Sequence, residues 1–160
     1  MRRSVWIAAL LALSCSQQPA NKSAPEPIGT ALAPYVLDGV PSDIKNRVFF
    51  DFEGKVHLIG YDLEPEGNIG PGGKAKLKLY WKCVSPLGPG WRLYTHLVDT
   101  SGRVFKNLTE VAPDQLTAGA LRGSSFTPSN WELGKVYVDV QEFDIPRDIR
   151  LSEFTIAAGL

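Results

Sequence analysis

The sequence predicts an all-β domain, an antiparallel β-sandwich of about seven short strands, immunoglobulin-like or jelly-roll, behind a signal peptide and a flexible tether. Three observations lead there. Apolar residues alternate with polar ones at period two, most cleanly in "KAKLKLYWKC" (Lys74–Cys83). Gly- and Pro-rich turn clusters separate the alternating runs, and no segment carries a convincing period of 3.6 residues. Short alternating runs between turn signals are the pattern of sandwiches and barrels.

The N-terminus is read first. Met1-Arg2-Arg3 is basic, Val5–Leu13 is an apolar run, and Ala12-Leu13-Ser14 places small residues before Cys15. A run of nine is too short to span a bilayer, which takes about 20 residues, and it has the form of a secretory signal. The closing residues resemble the lipobox of bacterial lipoproteins, with Ala12 where Leu is usual. That resemblance implies a signal peptide over 1–14, diacylated Cys15 as the new N-terminus, and a chain anchored to the cell envelope. Ser16 after the cysteine resembles the outer-membrane sorting preference of enteric bacteria, which points to the outer membrane over the inner, with a periplasmic or surface-facing domain. Ser16–Pro34, rich in Pro, Ser and Ala without aromatics, reads as a tether. Tyr35–Ile44 reads as a short strand or an ordered lead-in, so residues 15–45 are assigned to the lipidated Cys and tether and residues 46–160 to the sandwich.

The whole chain carries 17 basic and 17 acidic residues. Loss of Arg2 and Arg3 with the signal would leave it slightly acidic, and no basic field points to nucleic acid. With Cys15 lipidated, Cys83 stands alone on the apolar phase of its strand and reads as a small buried hydrophobe.

From Asn46 onward each run is a strand candidate. "RVFFDF" (Arg47–Phe52) and "KVHLIGYDL" (Lys55–Leu63) flank Glu53-Gly54, a hairpin turn. "GNIGPGG" (Gly67–Gly73) is a turn cluster, and its "GPGGK" lacks the spacing of a phosphate-binding loop. Lys74–Val84, Trp91–Asp99 and Arg103–Leu108 follow, then a long loop over 109–130, then Lys135–Ile145 and Leu151–Leu160. Val136, Val138 and Val140 share one phase and Phe143 and Ile145 the other, which predicts a β-bulge near Gln141–Glu142. The final "FTIAAGL" reads as a terminal strand or as a domain cut short.

The short connection Ser85–Gly90 suggests that Lys74–Val84 and Trp91–Asp99 form a hairpin. With Cys83 opposite Trp91, the inner face pairs Trp81 with Leu93, Leu79 with Thr95 and Leu77 with Leu97. The outer face then pairs Lys82 with Arg92, Tyr80 with Tyr94 and Lys78 with His96, and Lys76 extends the row. Two readings of these seven residues stand. One is a solvated face whose lysines discourage edge-to-edge aggregation. The other is a ligand face, its tyrosines and cations suited to sugar rings or acidic headgroups.

No catalytic signature emerges. His57 and His96 are the only histidines and have no metal-ligand spacing, so no metal or cofactor is expected. Asp51, Asp62, Asp99, Asp139 and Asp144 are scattered, and nothing selects two of them as a hydrolase pair.

"LIGYDL" (Leu58–Leu63), "PGGKAKLKLYW" (Pro71–Trp81), "THLVDTSGRV" (Thr95–Val104) and "PSNWELG" (Pro128–Gly134) occur in this order. Together, over Val48–Leu160, they resemble the β-sandwich domain found beside bacterial membrane glycosyltransferases of the dolichyl-phosphate-mannose type. The resemblance implies an immunoglobulin-like or jelly-roll accessory domain, with further strands after Gly159-Leu160 and with no catalytic residues or transferase activity to carry over. The expected function is a non-catalytic envelope lipoprotein acting as a binding or assembly module for a glycan or an envelope protein. A carbohydrate-binding module is the first alternative and a hydrolase the second.

Overall fold

The computed structural model describes residues 33–109, 127–149 and 153–160. The signal peptide, Cys15, most of the tether and most of the 109–130 loop lie outside the described residues. Within them the fold is all-β, with two 3-10 turns and no α-helix. Eight strands follow in chain order: β1 (Val36–Leu37), β2 (Asn46–Phe52), β3 (Val56–Glu64), β4 (Lys74–Cys83), β5 (Tyr94–Val98), β6 (Val104–Asn107), β7 (Val136–Asp144) and β8 (Thr155–Gly159). They form two antiparallel sheets, one of five strands in the order β1-β7-β4-β3-β2 and one of three in the order β6-β5-β8.

The β2–β3 turn is dictated locally. Glu53 and Gly54 both have positive φ, 54° and 64°, as the central residues of a primed turn over Phe52–Lys55 that matches the strand twist require. The Lys55 amide donates to the Phe52 carbonyl at 3.0 Å, and the Gly54 amide donates to the Asp51 carboxylate at 2.9 Å.

The core lies between the sheets. Val56 and Leu58 of β3, the odd residues Ala75–Cys83 of β4, and Tyr137 and Phe143 of β7 pack against Leu93 and Leu97 from the three-stranded side. Trp131 stacks flat on Tyr137, ring centroids 4.4 Å apart. Cys83 is fully buried and free, as its phase implied.

The expected hairpin between Lys74–Val84 and Trp91–Asp99 does not form. Both edges of β4 are taken, by β3 on one side and β7 on the other. At its end, Val84 and Ser85 donate to the Lys55 carbonyl, and Gly134 donates to Cys83. With no edge left to pair, the chain crosses to the second sheet, and Leu87 and Leu93 are buried along that crossing. Leu77, Leu79 and Trp81 do share a core with Leu93 and Leu97, but across the sandwich rather than along a ladder.

The expected bulge near Gln141–Glu142 is also absent, because β4 and β7 pair without a break from Lys74↔Asp144 to Lys82↔Val136. The phase change has another cause: β7 is covered on both faces. Tyr137, Asp139, Gln141 and Phe143 face the main core, while Val136, Val138 and Val140 join Ile44 and Tyr80 in a second cluster on the outer face. Residues 33–45 supply that cover, so the folded unit begins before Asn46: β1 pairs with β7 at Val36↔Tyr137. Ile44 sits over Gly60, where any Cβ would lie 2.4 Å from the Ile44 Cγ2.

Candidate functional site

The seven residues of the expected patch lie on two opposite outer faces of the sandwich. Lys76, Lys78, Tyr80 and Lys82 project from β4 on the outside of the five-stranded sheet. Arg92, Tyr94 and His96 belong to the approach to β5 and to β5 itself, on the outside of the three-stranded sheet. Lys82 and Arg92 are therefore not a like-charge pair.

On the first face the charges are matched across strands. Lys76 lies between Glu64 and Glu142, with its Nζ 3.5 Å from the Glu142 carboxylate, and Lys78 lies between Asp62 and Val140. Opposite charges facing each other stabilise a sheet modestly, which accounts for much of the lysine pattern. Tyr80 offers no ligand surface. It is 6% exposed, packed with Ile44 and the β7 valines, and its hydroxyl donates to the Asp62 carboxylate at 2.7 Å. Burial, followed by that hydrogen bond, pushes the phenol well above its ordinary range.

On the second face Tyr94 is 38% exposed and its ring lies 5.4 Å from that of His96. Tyr94 stands opposite Gly159 and leans over it so closely that a Cβ there would sit 2.6 Å from the phenol oxygen. His96 stands between Asn107 and Ala157. On the β8 side, both rings therefore have small neighbours, Gly159 and Ala157.

The five aspartates do not converge. Asp51 lies beside His57 and caps the β2–β3 turn, Asp62 holds Tyr80 and the Lys45 amide, and Asp144 accepts from Lys106. Asp99 collects the amides of Ser101 and Arg103, the Ser101 hydroxyl and the Arg103 guanidinium; these bonds, the hydroxyl's first, hold its pKa down at about 2. Asp139 is fully buried between the sheets and accepts from Gln141. Among the described residues no cluster of three or more His, Cys, Asp or Glu could hold a metal ion. No helix there is long and apolar enough to cross a membrane.

The sequence reading missed a concavity among the described residues. Five strands face three, and the cover is incomplete: Val56 and Leu58 of β3 are buried in the core, but Val48 and Phe52 of β2 and Tyr61 and Leu63 of β3 are only partly buried and Phe50 is exposed. The result is a groove of about 550 Å³, floored by Phe52, Leu58, Leu63 and Leu77 and bordered by Phe50 and by Ile156–Ala158 of β8. A second hollow of about 420 Å³, containing Ile69, Ile149 and Phe154, shares Leu63 and Ile156 with it. The signal was present in "RVFFDF". Adjacent phenylalanines put one ring on each face of an edge strand. Phe49 packs edge-on against His57 on the outer face, while Phe50, opposite Leu58 on the inner side, remains 58% exposed.

The chain matches no family model, no curated protein and no solved structure.

Proposed function

We propose that this chain is a non-catalytic binding or assembly module of the bacterial cell envelope, held to the membrane through lipid on Cys15 and engaging its partner through the groove between the sheets. The groove carries this reading. It is mostly apolar and large enough to take a ligand, and it is bordered by a large exposed aromatic residue, Phe50. The envelope placement rests on the lipobox-like Ala12-Leu13-Ser14-Cys15 and the Pro-rich tether, and the non-catalytic reading on carboxylates that already have structural partners.

The test has two arms. Mass spectrometry of the mature chain is expected to find acylated Cys15, and Cys15→Ala is expected to release the protein from membranes. A photo-crosslinking amino acid at Phe50, in intact envelopes, is expected to capture a discrete partner that the same group at Lys78 does not. An unmodified parent protein, or equal capture at both positions, defeats the reading.

A glycan-binding role is the second reading, and it is favoured by Tyr94 and His96 standing above Gly159 and Ala157. Stacking of a sugar ring there requires loss of polysaccharide retention in Tyr94→Ala. No retention by the parent protein removes this reading.

A further inference from the structure

Residues 33–45 lead from the Pro-rich stretch into β2 and cover part of the outer face of the five-stranded sheet, with two footholds of unequal depth. The deeper one is at Ile44 and Lys45. Ile44 is buried over Gly60, and the Lys45 amide donates to buried Asp62. Close by, the Arg47 guanidinium of β2 donates to the carbonyls of Pro41 and Ser42 at 3.0 and 3.1 Å. The shallower foothold is β1. Val36 and Leu37 pair with the first two residues of β7, Tyr35 and Leu37 pack on the valine cluster, and the Asp38 carboxylate accepts from the Lys135 ammonium. None of residues 33–43 is buried, and Asp38, Gly39 and Val40 stand exposed between the footholds.

Half-buried side chains, a two-residue ladder and a surface ion pair are the marks of a contact that opens locally. The Asp38 side chain is 92% exposed, and a pair so exposed contributes little and is screened by salt. Chain order adds direction. A pull on the chain before Ala33 reaches β1 before it reaches Ile44. Loss of β1 leaves the ladders from β7 through β4 and β3 to β2 intact. It uncovers part of the valine cluster, on a face that an antiparallel sheet can present to water.

From this we infer that residues 33–43 are a releasable clasp. Under tension from the N-terminal side, β1 leaves β7 while Ile44 and the sandwich stay in place. Fully extended, these residues span about 36–40 Å, so release lengthens the link between an anchor and the domain by at most that much. When the tension falls, Tyr35 and Leu37 return to the valines and the link shortens. For its role the inference rests on the anchored half of the reading above; its mechanics do not.

The experiment stretches the full chain in optical tweezers. One handle is at the N-terminal end, and the other is on an azide-bearing amino acid in place of Thr100, an exposed turn residue. The expected record is a short reversible step of no more than about 40 Å, at a lower force than the long rupture of the sandwich. Leu37 and Val136 are direct partners on antiparallel strands, at a separation that suits a disulfide. The double variant Leu37→Cys/Val136→Cys should lose the short step when oxidised and regain it when reduced, and the reduced form shows that the variant still folds.

A single all-or-none rupture of the parent chain makes β1 part of the core and overturns the inference. So does a short step that persists in the oxidised variant, because it then arises elsewhere. A first step longer than residues 33–43 can supply means that Ile44 and β2 leave with β1, with the same consequence. These results leave the binding-module reading standing. An unacylated Cys15 with equal crosslinking at Phe50 and Lys78 defeats that reading, whereas a short step abolished by the disulfide still establishes the clasp.

Discussion

The Tyr80 hydroxyl donates a 2.7 Å hydrogen bond to Asp62 across two neighbouring strands, and both residues are buried on the outer face of the five-stranded sheet. The backbone amide of Lys45 donates to the same carboxylate at 2.9 Å. One carboxylate thus ties the covering segment to the sheet and holds the phenol beneath it. Tyr80→Phe keeps the ring and removes one of these donors. A hydrogen bond to a charged group contributes about 1.5–3 kcal/mol, so urea unfolding should show a loss of that order at neutral pH with an unchanged m-value. The raised phenol pKa adds a second signature. The folded state keeps the proton after the unfolded chain has lost it, so stability is full below about pH 10 and falls as pH rises above it. Tyr137, pushed up to about 12 chiefly by burial, adds to the same fall. Tyr80→Phe should make the alkaline decline shallower, and an equal slope in parent and variant would count against the buried pair.

Gly60 is required by close approach rather than by its backbone angle. An added Cβ would lie 2.4 Å from Ile44 Cγ2 and 2.8 Å from the Asn46 carbonyl oxygen. The first contact can yield if the side chain moves; the second is backbone. Gly60→Ala should therefore destabilise by about 1–3 kcal/mol. Ile44→Ala should recover only part of that loss in the double variant, because the clash with Asn46 persists. Full additivity of the two changes in denaturant melts would mean that Ile44 does not cover Gly60.

Asp99 offers a test at acid pH. Four donors from Ser101 and Arg103 hold its carboxyl at about 2, below its ordinary value of 3.8. Its folded pKa is depressed, so its contribution is present above about pH 4 and is lost as pH falls toward 2. Asp38 and Asp144, lowered by Lys135 and Lys106, act in the same direction. Asp99→Asn should flatten the decline of Tm between pH 4 and 2 without abolishing it. An unaltered acid profile would remove Asp99 from the account.

Strand identity was largely legible because it is local. The alternation of β4, the Glu53-Gly54 turn and the buried phase of Cys83 all follow from neighbours within a few residues. What failed was long-range. Ser85–Gly90 looks like a hairpin loop until β3 and β7 are seen to occupy both edges of β4, and nothing near residue 85 records that. Tyr80 belongs to the polar phase of its strand and was read as exposed; Ile44, 36 positions earlier, buries it. The two-sided burial of β7 imitated a bulge for the same reason. A period-two pattern reports the face of a side chain but not what lies over that face.

Gln141 gives the sharpest test of the join between the sheets. Its side-chain amide donates to Asp139 Oδ2 at 2.8 Å on its own strand and to Thr95 Oγ1 at 3.0 Å on β5, and all three residues are buried. Its Oε1 has no hydrogen-bond partner among the described residues, so its contribution comes through the donor end. Gln141→Leu keeps roughly the volume and strips the donor from a buried carboxylate, which should cost about 1.5–3 kcal/mol. Gln141→Glu should cost more at pH 7, because it sets a second carboxylate against Asp139 in a site shielded from water. Burial and like charge raise the pKa of the introduced carboxyl, so that variant should regain stability as pH falls from 7 to 5 while Gln141→Leu does not. Denaturant midpoints for the three proteins at pH 7 and pH 5 give the comparison. If Gln141→Glu is no worse than Gln141→Leu at pH 7, the polar contact between the sheets is not shielded from water as its burial implies.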